Sequence, residues 1–158
     1  MDSESSNNPV PVATTTVRDI MTQRIVTVTM DDSLHTVRER FEQFGFHHLL
    51  VLEKRKLVGV ISDRDLLRNL SPFLGRAFAE RPQDLATLNL RVHQIMTRKP
   101  VGAMPEMPIE AAARLMPDQD ISCLPVVNDR CQPVGIVTWK DLLRAMLGQR
   151  IPAQDILP

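Results

Sequence analysis

The sequence repeats itself. Val17-Arg18-Asp19-Ile20-Met21-Thr22 returns as Val92-His93-Gln94-Ile95-Met96-Thr97, 75 positions further on. The same offset pairs Val26 with Val101, Leu34 with Ile109, and Leu49-Leu50-Val51 with Leu124-Pro125-Val126. One residue is added in the next turn. Val58-Gly59-Val60-Ile61-Ser62 therefore meets Val134-Gly135-Ile136-Val137-Thr138 at an offset of 76, as Asp65-Leu66-Leu67-Arg68 meets Asp141-Leu142-Leu143-Arg144. Register held through five blocks identifies a tandem duplication, and one fold must be written twice. A unit of roughly 55–60 residues is marginal alone, so the two copies are expected to share a core.

Each copy reads alike. In the first, Asp31-Asp32-Ser33 offers capping oxygens, Leu34, Val37, Phe41 and Phe44 follow at helical spacing, and Gly45 is a stop signal. In the second, Pro108 opens a helix through Ile109, Ala112, Ala113 and Met116, and Pro117 is expected to close it. Two β-rich runs come next, 48–52 and 57–62 in copy one, 122–127 and 134–138 in copy two. A helix follows each pair, over 63–70 and 139–147. With a short strand near Val26 and near Val101, the expected unit is β-α-β-β-α, used twice in an α+β fold. The predicted layout is a mobile tail over 1–16, repeats over 17–70 and 92–147, a connector over 71–91 with a short helix near 84–90, and a C-terminal tail over 148–158.

Composition removes several function classes. Lys plus Arg number 19 and Asp plus Glu 19, so the basic excess of a protein that lives on nucleic acid or anionic lipid is missing. Two cysteines, Cys123 and Cys131, suit a reducing compartment and no disulfide scaffold. No run approaches the ~20 apolar residues of a membrane span, and the first sixteen residues do not read as a signal peptide. The cytoplasm is the expected location.

The chemistry concentrates at Gly59-Val60-Ile61-Ser62-Asp63-Arg64-Asp65 and Gly135-Ile136-Val137-Thr138-Trp139-Lys140-Asp141. In each, a strand runs into a hydroxyl residue where a helix begins, and a carboxylate follows three residues later. Unpaired N–H groups at such a start suit a phosphate, the aspartate can accept hydrogen bonds from a vicinal diol, and Arg64 or Lys140 can offset phosphate charge. Ser-x-x-Asp is equally a capping box, in which both side chains serve their own helix. For one isolated copy, capping is the commoner use of the pair.

Taken together, Ile-Met-Thr at 20–22 and 95–97, Ile121-Ser122-Cys123-Leu124-Pro125-Val126-Val127 and the two Gly-x-x-[Ser/Thr]-x-x-Asp turns resemble the CBS (cystathionine β-synthase) domain, and the tandem resembles a Bateman module. The resemblance implies a non-catalytic regulatory module that binds AMP, ADP or ATP and pairs through its helices as a homodimer with an unknown downstream partner. Sensors of S-adenosylmethionine or NAD, and ligand-independent scaffolds, are the alternatives. It implies further that Asp65 and Asp141 contact ribose and that Ser62 and Thr138 contact phosphate. His47, His48, Ser122 and Cys123 would border the base, with Val26 and Val101 as the opposite wall. Arg24 and Lys99 lie where a basic side chain reaches phosphate, with solvated surface an equal reading. Copy one departs from the pattern at His47-His48 and at Leu50 in place of Pro125, which favours the second of two separate sites. Asp141→Ala is then expected to cost a binding site and little ligand-free stability.

The remaining residues suggest no chemistry of their own. Consecutive strand residues face opposite ways, so His47 and His48 are not expected to share a metal. Cys123, in an apolar run without a Cys-x-x-Cys mate, reads as a buried thiol. Trp139 is expected against a neighbouring subunit or over the core. No nucleophile–base set or paired acids mark an enzyme.

Overall fold

Ser33 starts the first long helix as its sequence promises. Its Oγ accepts the Thr36 N–H at 3.3 Å, and Gly45 ends the helix in the left-handed region at φ 66°. The computed structural model describes residues 15–149, so most of the two expected tails lies outside the described residues. The first half runs α1 (Val17–Ile20), β1 (Thr27–Thr29), α2 (Leu34–Phe44), β2 (His48–Glu53), β3 (Lys56–Ser62) and α3 (Asp63–Asn69). The connector holds α4 (Pro82–Ala86) and a 3₁₀ turn over Thr87–Asn89. The second half runs α5 (Val92–Ile95), β4 (Thr97–Arg98), α6 (Ile109–Asp118), β5 (Cys123–Val127), β6 (Pro133–Thr138) and α7 (Trp139–Met146). No helix among the described residues is long and apolar enough to cross a membrane.

Two expectations are corrected. The strand near Val101 shrinks to one bridge, Ala103 parallel to Val126, where copy one has β1 paired with β2. Pro100 and Pro105 flank it, and proline has no N–H for a ladder. Pro117 does not close its helix, which continues to Asp118 before the Gln119 cap.

The repeats exchange their leading segments. β4, from the second copy, joins the first sheet, whose order is β1-β2-β3-β4, with Thr97 opposite Val60 and Arg98 opposite Gly59. Reciprocally, Thr22 of the first copy bridges Ile136 in β6, donating its N–H at 2.8 Å and accepting one at 2.9 Å. The short helices follow. Val17 and Ile20 of α1 are buried in the core of the second copy with Ile109, Ala112, Leu124 and Val137. Val92 and Met96 of the second copy are buried with Leu34, Val37, Leu49 and Ile61 of the first. A third small cluster, Leu50, Cys123 and Ile136, joins the two halves.

This exchange explains the glycines. A Cβ on Gly59 would stand 2.6 Å from Met96 Sδ and 3.0 Å from Thr97 O, and one on Gly135 would stand 2.7 Å from Met21 Sδ and 2.9 Å from Thr22 O. Each Met-Thr pair crosses the glycine of the other copy. A methionine tail can swing aside but a bridging carbonyl cannot, so a methyl group forces the crossing backbone apart. Gly135→Ala is expected to lower the free energy of unfolding by about 1–3 kcal/mol, as overpacking does. Urea denaturation measures this, and an unchanged midpoint would contradict the exchange-packing account.

Candidate functional site

Both capping boxes form. Asp65 Oδ2 accepts the Ser62 N–H at 2.8 Å and the Ser62 hydroxyl at 2.7 Å, while Ser62 Oγ accepts the Asp65 N–H at 3.2 Å. Asp141 Oδ2 accepts the Thr138 N–H at 2.8 Å and the Thr138 hydroxyl at 2.7 Å. Asp141 is buried, 8% exposed, and Asp65 half-buried. One oxygen of each carboxylate is therefore committed to its own helix. Two oxygens for a diol, the expectation for a ribose contact, become one.

The starts of α3 and α7 open into one cavity of about 670 Å³, rather than the separate clefts that a duplication suggests. They meet where the two hairpins pack against each other through Leu50, Cys123 and Ile136, with His48 Nε2 3.1 Å from Ser122 Oγ across the repeats. From α3 the wall takes Ser62, Asp63 and Arg64, and from α7 their counterparts Thr138, Trp139 and Lys140. Thr22, Gly45, Phe46 and Ile136 complete it with His47, His48 and Ser122. Arg64 and Lys140 are exposed, and Lys140 Nζ lies 5.9 Å from the centre of the Trp139 ring. His47 Nδ1 lies 2.8 Å from Asp63 Oδ2. Burial holds the His48 imidazole below its ordinary pKa, favouring its neutral form beside Ser122.

The model of the CBS domain matches residues 17–72 and again 92–148. The chain belongs to the CBS domain family. The uncharacterized protein MJ1426 of Methanocaldococcus jannaschii is 33% identical over 153 residues, covering 83% of this chain and 90% of that one. CBSX2 of Arabidopsis thaliana, solved in complex with AMP, superposes at TM-score 0.68 with 32% identity, covering 84% of this chain and 96% of the other. The CBS domain pair of protein MJ0100, solved with 5′-methylthioadenosine and S-adenosyl-L-methionine, gives TM-score 0.69 at 28% identity and covers 86% and 98%. This chain spans only 21% and 24% of the length of two longer relatives. The fold is the α+β arrangement of these CBS pairs.

Within this CBS pair, the cavity collects seven of the residues singled out from sequence: His47, His48, Ser62, Arg64, Ser122, Thr138 and Lys140. His47 and His48 line the same space despite their adjacency, because β2 begins only at His48 and His47 belongs to the preceding turn. Asp65 and Asp141 lie behind the wall as caps. Cys123 is buried in the small inter-repeat cluster, where burial first and then the charge of Asp65 push its thiol up to about 12. Val26 and Arg24 line a small niche of about 20 Å³ that adjoins the cavity through Phe46, His48 and Ile136, with Arg24 near the Phe44 and Phe46 rings at 5.8 and 5.7 Å. Val101 packs against the second core, and Lys99 is exposed, its N–H donated to Val58 O. Trp139 neither covers the core nor is buried; it is 51% exposed at the cavity wall. Among the described residues no group of three His, Cys, Asp or Glu could hold a metal.

Thr22, Phe46, Asp63 and Ile136 also line the cavity without having been foreseen. Thr22 carried a signal in the doubled Ile-Met-Thr; the others depend on how the two copies meet.

The caps reverse one expectation from sequence. Asp141→Ala removes a buried carboxylate that holds two donors, so it is expected to lower ligand-free stability by about 1–2 kcal/mol. Denaturant titration of the unliganded protein measures this, and an unaltered midpoint would show that the cap contributes nothing.

Proposed function

We propose that the chain is a non-catalytic regulatory module that binds an adenosine-bearing ligand, with AMP, ADP or ATP first among them, in the cavity between its repeats. The observation that carries this reading is the cavity itself. Its volume lies within the ~300–1,000 Å³ of small-molecule sites. Two hydroxyl-capped helix starts and two exposed cations, Arg64 and Lys140, line one part, and Phe46, Ile136 and the Trp139 ring offer apolar surface for a base. A phosphate suits the first set and a purine the second. Crystal structures of CBSX2 with AMP and of the MJ0100 pair with S-adenosyl-L-methionine support the class of ligand.

Occupancy would reach a partner protein through the exposed helices. Leu67 of α3 and its repeat mate Leu143 of α7 are 71% and 48% exposed, and Met146 and Leu147 are exposed beside Leu143. We assign this face to homodimer formation. Sedimentation velocity reads it directly, and a monomer at micromolar concentration contradicts it.

The ligand would shift any conformational equilibrium only by its difference in affinity between states. Calorimetric titration with adenosine, AMP, ADP, ATP and S-adenosylmethionine tests the reading. At least one is expected to bind. Replacing both Arg64 and Lys140 by Gln is expected to weaken AMP by about tenfold or more relative to adenosine, the loss of charge-assisted contacts. No heat from any of the five, with folded protein, would overturn the function.

A further inference from the structure

The two ends of the cavity are related by the repeat but differ in charge. Asp63 and Trp139 occupy the same place. The Asp63 N–H donates to His47 O at 3.1 Å, and the Trp139 N–H donates to Ser122 O at 3.2 Å. Both side chains line the cavity, as do their successors Arg64 and Lys140. At the α3 end the charges of Asp63 and Arg64 cancel. At the α7 end Trp139 is neutral, and Lys140 leaves one positive charge. One capping aspartate lies behind each end, so those two contribute alike.

Asp63 is not withdrawn from the cavity by its contact with His47. Its side chain remains 39% exposed, and the His47 side chain 67%. A phosphate entering the α3 end meets the Asp63 carboxylate beside Arg64, so attraction and repulsion offset in a cleft where water screens charge less than at an open surface. A phosphate entering the α7 end meets an ammonium and no acid.

We propose that Asp63 is a specificity determinant that makes the cavity a one-anion site. The phosphate-bearing end of the ligand goes to Lys140, and the α3 end, where Asp63 stands, takes no second phosphate. This rests on the nucleotide reading above and adds to it a stoichiometry and an orientation. The chain holds a single tryptophan, Trp139, so its emission reports the α7 end.

Calorimetry and Trp139 fluorescence, run side by side with AMP, test the proposal. The wild-type protein is expected to take one AMP per chain, with the two isotherms superimposed. Asp63→Asn keeps the side chain's size and removes its charge; it is expected to admit a second AMP, seen in heat but silent in Trp139 emission. Trp139→Asp places an acid at the other end and is expected to bind AMP at least about tenfold more weakly than Trp139→Asn. Two AMP per wild-type chain overturns the assignment of Asp63, as does an Asp63→Asn protein that still takes one AMP with unchanged affinity. Equal AMP affinity in the two Trp139 variants overturns the orientation. A wild-type chain that binds no adenosine compound removes the nucleotide reading itself.

Discussion

Two methionine–threonine segments, each laid across the glycine of the opposite repeat, hold this molecule together. The contact is backbone against backbone: Thr97 O and Thr22 O lie so close to Gly59 and Gly135 that no side chain fits between. It completes both sheets, since β4 is the fourth strand of the first and Thr22 the corresponding bridge of the second. It also carries α1 and α5 into the cores they complete, each in the other copy. Neither repeat can close its core without a piece of its mate. A duplicated unit too small to stand alone thereby becomes one folded body.

The cavity follows from the same packing. Exchange holds the hairpins against each other, with the helix-proximal ends of β2 and β5 close at the His48–Ser122 contact and the starts of α3 and α7 lining a common space. Residues that cap those helices also line that space. The Ser-x-x-Asp pattern therefore serves its helix in both copies while its hydroxyl residue also lines the cavity. One carboxylate oxygen and the hydroxyl proton of each pair are held by the helix. Ser62 and Thr138 nonetheless line the cavity, and Arg64 and Lys140 line it too.

Much of this architecture is legible in the amino-acid sequence. The offset of 75 then 76 located both copies, and period and punctuation placed α2, α6 and both hairpins to within a residue or two. The exchange was not legible, because it joins segments about 75 positions apart and its signal, a glycine facing Met-Thr, has meaning only once the copies touch. The lost strand at Val101 reflects prolines whose effect depends on a neighbouring edge. The merging of two sites into one cavity, and the demotion of Asp65, Asp141, Val26, Val101 and Cys123 from its wall, depend on how two similar units face each other. Chemistry types could be read from residues; which of them share a space could not.

If one cavity between the exchanged repeats holds the adenosine ligand, a crystal structure grown with AMP will show it there. Nucleotide density is expected between the Ser62 and Thr138 caps, in contact with residues of both copies. Density at any other surface, with this cavity closed or filled by its own side chains, would contradict it.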